Sequence, residues 1–169
     1  YELGGGTVVG DNPQGYSIET ETFTLKNPTR QDYEFVGWTG SNGTTPELTV
    51  TIPKGSTGDR QYTANWRNIY QVKFDPAGSS PQPGNQSKAA GETVDKPSAV
   101  TKTHYTFAGW YHEGTLWYFD RDTVQGTMTL TARWTPVQYK ITYTLAGGMV
   151  AYVNPSTYTV ETGTFTLNN

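Results

Sequence analysis

Residues 105–110 read Tyr-Thr-Phe-Ala-Gly-Trp and residues 33–38 read Tyr-Glu-Phe-Val-Gly-Trp, one motif stated twice at an offset of 72. Two further landmarks recur in the same order on either side of it. Tyr62-Thr63-Ala64-Asn65-Trp66 returns as Leu130-Thr131-Ala132-Arg133-Trp134 at an offset of 68, and Tyr70-Gln71-Val72-Lys73-Phe74 as Tyr139-Lys140-Ile141-Thr142-Tyr143 at 69. Such spacing describes one supersecondary unit of about 70 residues, copied along the chain with small changes of loop length.

A longer match frames these copies. Residues 1–27 align without a gap on residues 143–169 at an offset of 142, with 15 of 27 positions identical. The shared residues include Tyr1/Tyr143, Leu3/Leu145, Asn12/Asn154 and Tyr16/Tyr158, and Thr22-Phe23-Thr24-Leu25 recurs as Thr164-Phe165-Thr166-Leu167. The register predicts a first unit over 1–67 that lacks the start of its first strand. A second, complete unit follows over 70–135, and 139–169 are the opening strands of a third, so that the chain reads as a window on a longer array. Arg67-Asn68-Ile69 and Thr135-Pro136-Val137-Gln138 are the candidate linkers. They are too short for a flexible tether, so neighbouring units are expected to sit close together.

Composition agrees with short strands and turns. Twenty-nine Thr and 23 aromatics (5 Trp, 12 Tyr, 6 Phe) suit pleated, half-buried surfaces, and 19 Gly and 10 Pro punctuate them. The net charge is −3, with Lys and Arg scattered rather than striped, which speaks against a nucleic-acid partner. No run of about 18 apolar residues spans a bilayer, and no charged-then-apolar secretion signal opens the segment. The absence of cysteine removes thiolate nucleophiles, disulfides and the usual structural zinc sites.

The second copy can be read element by element. Tyr70, Val72 and Phe74 alternate with polar residues as a half-buried strand, which Pro76-Ala77-Gly78 breaks; Gly4-Gly5-Gly6 and Gly147-Gly148 are the equivalent breakers in the outer copies. A strand around Tyr16 to Leu25, and its counterpart Tyr158 to Leu167, is expected to pair with the opening strand as a hairpin. Asp95 to Lys102 has room for a couple of helical turns, with Pro97 in the first. Strict alternation then puts Thr106, Ala108 and Trp110 on one face and Tyr105, Phe107 and Gly109 on the other. Leu116 to Phe119 reads as a fourth strand, and Met128, Leu130, Ala132 and Trp134 as the inner face of a closing strand.

So small a core needs large side chains. Trp38 with Trp66, Trp110 with Trp134, and Phe35 and Phe107 are the predicted core fillers. Gly37 and Gly109, each just before a Trp, imply room for a ring or a close approach of backbone.

Tyr-x-Val-x-Phe-Asp at 70–75, Tyr-Thr-Phe-x-Gly-Trp-Tyr at 105–111 and Leu-Thr-Ala-Arg-Trp at 130–134 resemble the InlB B-repeat family, also called the Listeria–Bacteroides repeat. The first copy is similar to its common variant through Asn27-Pro28-Thr29-Arg30, Phe35 to Gly40, Ile52 to Gly58 and Tyr62 to Trp66. The resemblance implies a mainly β, α+β fold: tandem small β-grasp (ubiquitin-like) domains. It also implies the extracellular part of a bacterial surface or secreted protein, where such repeats serve as stalks and interaction modules with host or cell-surface proteins or glycans. The family carries no enzyme activity, so no catalytic, metal or cofactor-binding residue is expected.

Residues weighed for chemistry agree with that expectation. His104 and His112 lie at strand ends without spaced carboxylate or cysteine ligands. Glu113, Asp120 and Asp122 form a carboxylate cluster of the kind a glycosidase needs, but they flank a turn and a strand end, where Asp is a turn former. The stretch Tyr111 to Asp120 stands out, because a two-sided strand cannot bury Trp117, Tyr118 and Phe119 together. Tyr111, His112, Trp117 and Tyr118 are therefore the candidate binding surface, a place for sugar stacking or a protein contact. The plainer alternative is that Trp117 packs on the next repeat.

Overall fold

The computed structural model describes residues 1–168; Asn169, with which the predicted third copy ends, lies outside the described residues. Two compact units form. One comprises Tyr1–Gln71, Ser87–Val94 and Thr123–Thr127, and the other comprises Val72–Gln86, Asp95–Asp122 and the residues from Met128 onward.

In the first unit, β1 (Phe23–Thr24), β2 (Tyr33–Gly40), β3 (Gly43–Glu47), β4 (Thr51–Ile52) and the start of β5 (Tyr62–Asp75) surround one core. Strand β2 makes a tight hairpin with β3, closed by the pair Gly40 and Gly43, and runs antiparallel to β5 in the register Phe35↔Trp66 and Trp38↔Ala64. A bulge between Phe35 and Gly37 adds one residue to β2. It rotates Phe35, three residues from Trp38, onto the same face, where the two rings meet edge to face at 5.4 Å and Phe35 meets Trp66 at 5.5 Å. Leu25, Trp38, Val50, Ile52, Tyr62 and Ala64 are buried together beneath Leu3, Tyr16, Phe23 and Trp66.

The opening residues are tied to this core by backbone and by a tryptophan. Glu2 lies parallel to Thr63, its N–H donating to Tyr62 O at 2.9 Å and its carbonyl accepting from Ala64 N–H at 2.8 Å. The glycine turn then passes under Trp66. The indole Nε1 donates to Leu3 O at 3.0 Å, and a Cβ on Gly6 would lie 2.4 Å from Trp66 Cζ2. Only glycine fits there.

The hairpin expected between the opening strand and Tyr16–Leu25 does not form in the first copy. Phe23↔Ile52 and Thr24↔Thr51 pair instead, with a hydroxyl contact of 2.9 Å between Thr24 and Thr51. Asn12 holds the loop ahead of β1. Its buried amide donates to Lys26 O at 3.0 Å and accepts Lys26 N–H at 2.7 Å, imitating a strand partner. Asn12→Ala is expected to cost about 2 kcal/mol, because it orphans both backbone groups of Lys26. A drop in urea midpoint at unchanged slope is the expected reading, and an unchanged midpoint would refute it.

In the second unit, the end of β5 lies parallel to β9 (Met128–Pro136) in the register Val72↔Met128 and Phe74↔Leu130. Strand β6 (Gln86–Ala89), whose residues from Ser87 onward belong to the first unit, pairs with β5. On the far edge of β9 lies antiparallel β7 (Tyr105–His112), which forms a hairpin with β8 (Thr115–Leu116). Val72, Phe74, Met128, Leu130 and Ala132 are buried, as their alternation predicts.

The structure departs from the sequence expectations at four places. No helix occurs among the described residues, so the α part of the expected fold class is not observed. Asp95 to Lys102 is extended: Gln86 brackets the Asp95 backbone through Nε2 and Oε1 at 2.8 and 2.9 Å, and Ser80 and Thr101 exchange both backbone hydrogen bonds. Backbone groups engaged sideways are unavailable for a helix. Strict alternation fails in β7, because a bulge between Phe107 and Gly109 sets Phe107 beside Trp110 and Trp134 at 5.9 and 5.2 Å. Finally, residues 67–69 lie inside β5 rather than between strands.

Within the second unit, β10 (Tyr139–Lys140) and β11 (Thr157–Tyr158) form the expected opening hairpin, Tyr139↔Tyr158. Local geometry here reproduces the first copy at the 142-residue offset. Tyr143 donates to Pro155 O at 2.8 Å as Tyr1 does to Pro13 O. Asn154 brackets Asn168 as Asn12 brackets Lys26, at 2.7 and 3.1 Å.

Candidate functional site

The stretch from Tyr111 to Asp122 begins as a hairpin. Glu113 and Gly114, both left-handed at φ 46° and 87°, join β7 to β8 in the two-residue turn that matches strand twist. Pairing stops at Leu116, followed by one more bond, Trp117 N–H to Trp110 O at 2.8 Å. The fourth strand is thus shorter than predicted. Residues 118–122 fold into a turn in which Asp122 accepts the Tyr118 N–H at 2.8 Å and donates its own N–H to Tyr118 O at 2.8 Å. The three consecutive rings escape the two-sided conflict because the strand ends before them.

The four candidate residues are placed as follows. Trp117 is half-buried, its ring edge-on to His112 at 6.2 Å and 88°, and its Nε1 is buried without a hydrogen-bond partner. His112 Nδ1 lies 3.3 Å from Thr129 O. Tyr111 is half-buried beneath the Arg133 guanidinium, 4.3 Å from the ring centroid. Tyr118 is the exposed member at 45%, with Arg121 over its ring at 4.3 Å. The structure therefore pairs His112 with Trp117, and places a cation over each tyrosine.

The two arginines were not singled out from the sequence. Three-residue spacing from Tyr118 signals Arg121 within a turn. Arg133, however, reaches Tyr111 only through the β7–β9 register.

The same turn governs the carboxylates. Arg121 Nε donates to Asp122 Oδ1 at 2.9 Å, and this bond, with the Tyr118 N–H, holds the Asp122 carboxyl below its ordinary value. A depressed carboxylate stabilises its turn above the ordinary carboxyl range and loses that contribution as pH falls through its lowered value. The Asp122 side-chain carbonyl signal is expected to titrate below the ordinary carboxyl range in NMR; titration within that range would refute the turn. Glu113 occupies the hairpin tip, and Asp122 is committed to backbone and Arg121, so the cluster serves turn geometry. Among the described residues no group of three His, Cys, Asp or Glu is arranged to hold a metal ion.

His104 also occupies a turn, left-handed at φ 68°, with Nδ1 3.0 Å from Tyr139 Oη and its carbonyl accepting Val137 N–H at 2.8 Å. Asp32 holds the equivalent turn at φ 61° and accepts Ile69 N–H at 2.8 Å. A position that takes Asp in one copy and His in the other serves the backbone turn.

The predicted core aromatics occupy matched places. Trp38 and Trp110 are buried, Phe35 is half-buried and Phe107 partly exposed, while Trp66 and Trp134 are half-buried. Each of the last two latches the break after the opening strand: Trp134 Nε1 donates to Pro76 O at 3.2 Å as Trp66 Nε1 does to Leu3 O.

Comparison with known proteins adds the relatives. A 30% identical match over 153 residues covers 88% of this chain and 17% of a "Putative Gly-rich membrane protein" of Evansella cellulosilytica. A second, 28% identical over 125 residues, covers 72% of the chain and 18% of a "Putative membrane protein" of the same organism. The chain thus spans less than a fifth of either relative's length. Among the described residues no helix is long and apolar enough to cross a membrane. No solved structure shows significant similarity. The family model of the divergent InlB B-repeat domain matches residues 2–69 and that of the Listeria-Bacteroides repeat domain matches residues 70–133. With residues 2–133 matched by two descriptions of one repeat type, the chain belongs to the InlB B-repeat, or Listeria–Bacteroides repeat, family.

Proposed function

We propose that this chain is a non-catalytic, extracellular segment of a bacterial surface or secreted protein, a spacer built of repeats at 1–67, 70–135 and from 139 onward, whose surface also serves adhesion. The carrying observation is the repeated latch, in which the closing-strand Trp66 or Trp134 donates to the backbone just after the opening strand of its own copy. Each copy closes on itself this way, so copies can be added without redesign. A β-grasp topology is supported by the parallel central pair β5 and β9, with β6 on β5 and the antiparallel β7–β8 hairpin on β9, although no helix crosses it. Small-angle scattering of this chain against one with residues 70–135 duplicated tests the spacer. The maximum dimension is expected to grow by a constant increment per copy, and a compact particle of unchanged aspect would overturn the reading.

A second reading, a glycan-binding surface at Trp117 and Tyr118, is favoured by the exposure of Tyr118. Its partner Trp117 offers little, since its indole N–H is already enclosed. Glycan binding lost in Trp117→Ala, with folding retained, would support it; binding unchanged by that substitution would exclude it.

A further inference from the structure

In the second unit, Thr129, Thr131 and Arg133 alternate along β9 with the buried Met128, Leu130 and Ala132 and so share its outward face. The register adds Lys73 beside Thr129 and Tyr111 beside Thr131 on that face. Arg133 lies over the Tyr111 ring, and its Nη2 is 3.7 Å from where a Cβ on Gly114 would stand. Among the described residues neither the Arg133 nor the Lys73 side chain has a hydrogen-bond or ion-pair partner. Asp75, opposite Thr131, is turned to its own loop, its Oδ1 accepting the Ala77 N–H at 2.9 Å.

The first unit shows the same place closed. Its pairs Gly37↔Asn65 and Thr39↔Thr63 hold the positions of Gly109↔Arg133 and Tyr111↔Thr131. There Asn65 Nδ2 donates to Gly37 O and Thr39 Oγ1, both at 3.0 Å, and to Thr63 O at 3.1 Å. One fold position is thus satisfied from within in one copy, whereas in the other it presents a guanidinium with five N–H donors.

Those donors define the ligand. Stacking on Tyr111 holds the guanidinium in one orientation and leaves its edge open, which matches the planar fork of a carboxylate. On that side of Tyr111 a ligand meets a cation rather than an aromatic ring. From Thr129, beside Lys73, to Arg133 is four residues of strand, about 13 Å. One carboxylate cannot span that, but two acids on one chain can, with hydroxyls between them to meet Thr129 and Thr131. We propose that this face binds an acidic oligosaccharide, one uronate carboxylate forked onto Arg133, a second on Lys73, and the intervening sugar hydroxyls on the two threonines. The site is distinct from the Trp117 surface. His112, with Trp117 edge-on to its ring, pairs with Thr115 and faces the other side of the hairpin from Tyr111 and Leu116.

The test is an NMR titration of the whole chain with trigalacturonate, against maltotriose as the neutral sugar and triglutamate as the acidic peptide. Saturable shifts of the Thr129 to Arg133 amides are expected with trigalacturonate alone, and about 0.5 M salt should abolish them. Arg133→Gln is expected to weaken binding roughly tenfold or more, and Arg133→Lys also to weaken it, because an ammonium keeps the charge but not the fork. Lys73→Gln should weaken it less, and Trp117→Ala should leave it unchanged. Melting temperatures establish that each variant is folded. Absence of saturation, equal binding of maltotriose or triglutamate, or unchanged affinity in folded Arg133→Gln would overturn the site; if that variant does not fold, unchanged affinity in Arg133→Lys and Lys73→Gln would do so. Binding lost in Trp117→Ala and kept in Arg133→Gln would assign the sugar to the opposite side and overturn it equally. The scattering increment is independent of all these outcomes, so the spacer and the acidic-sugar site fall separately.

Discussion

Trp38→Ala is expected to lower the melting temperature of the first unit by more than about 10 °C. Trp38 is fully buried, touches Phe35 and Tyr1 edge to face, and donates Nε1–H to Asn27 Oδ1 at 3.0 Å. Truncating a buried Trp costs about 3–5 kcal/mol, since the lost transfer energy is joined by the cavity left behind. In a domain of this size each kcal/mol moves the midpoint by about 4–8 °C, so a fall beyond 10 °C is expected. Trp66→Ala should cost less, as that ring is half-buried, though Leu3 O would lose its donor. Thermal melts followed by near-ultraviolet circular dichroism decide the order. Equal shifts for the two variants would mean that the core is not centred on Trp38.

Gly37→Ala is the second large effect. At φ 138° the residue sits in a region that L side chains rarely adopt, and an added Cβ would lie 2.6 Å from Glu47 N and 2.8 Å from its carbonyl carbon. Those are backbone atoms of the paired strand and cannot rotate away, so conformational strain and overlap add to roughly 3 kcal/mol or more. Gly43→Ala is the matched control: φ is 119° but nothing lies within 4 Å of the new Cβ, leaving about 1–2 kcal/mol of strain alone. Chemical denaturation of both variants should rank Gly37→Ala clearly below Gly43→Ala. Similar losses would show that β3 yields and that the close approach is not a constraint.

Much of this architecture was legible in the residues, and what was missed shares one cause. Alternation of Val72 and Phe74, and of Met128, Leu130 and Ala132, marks strands because each period-two pattern is complete within a few residues. The bulges beside Gly37 and Gly109 break the same rule, since one inserted residue shifts all later side chains to the other face. Alternation alone therefore places Phe107 away from Trp110, which its ring in fact meets. Asp95–Lys102 is extended because its backbone is held by Gln86 and Ser80, partners no local pattern announces. In the candidate surface, Arg121 lies three residues from Tyr118 on the chain, whereas Arg133 comes over Tyr111 only through the β7–β9 register.

The identical runs Thr22-Phe23-Thr24-Leu25 and Thr164-Phe165-Thr166-Leu167 separate the two kinds of information. Bonds closed within some fifteen residues are repeated faithfully: the Asn12 and Asn154 brackets, the Tyr1 and Tyr143 hydroxyls, and the turns Leu3–Gly6 and Leu145–Gly148. These the residues settle alone, because donor and acceptor are neighbours on the chain. Burial follows another rule: Leu25 is 4% exposed. It is covered by Trp38, Val50, Ile52 and Tyr62, side chains distant from it along the chain. Removing apolar surface from water takes such non-local neighbours, so only the assembled tertiary structure decides that Leu25 becomes core.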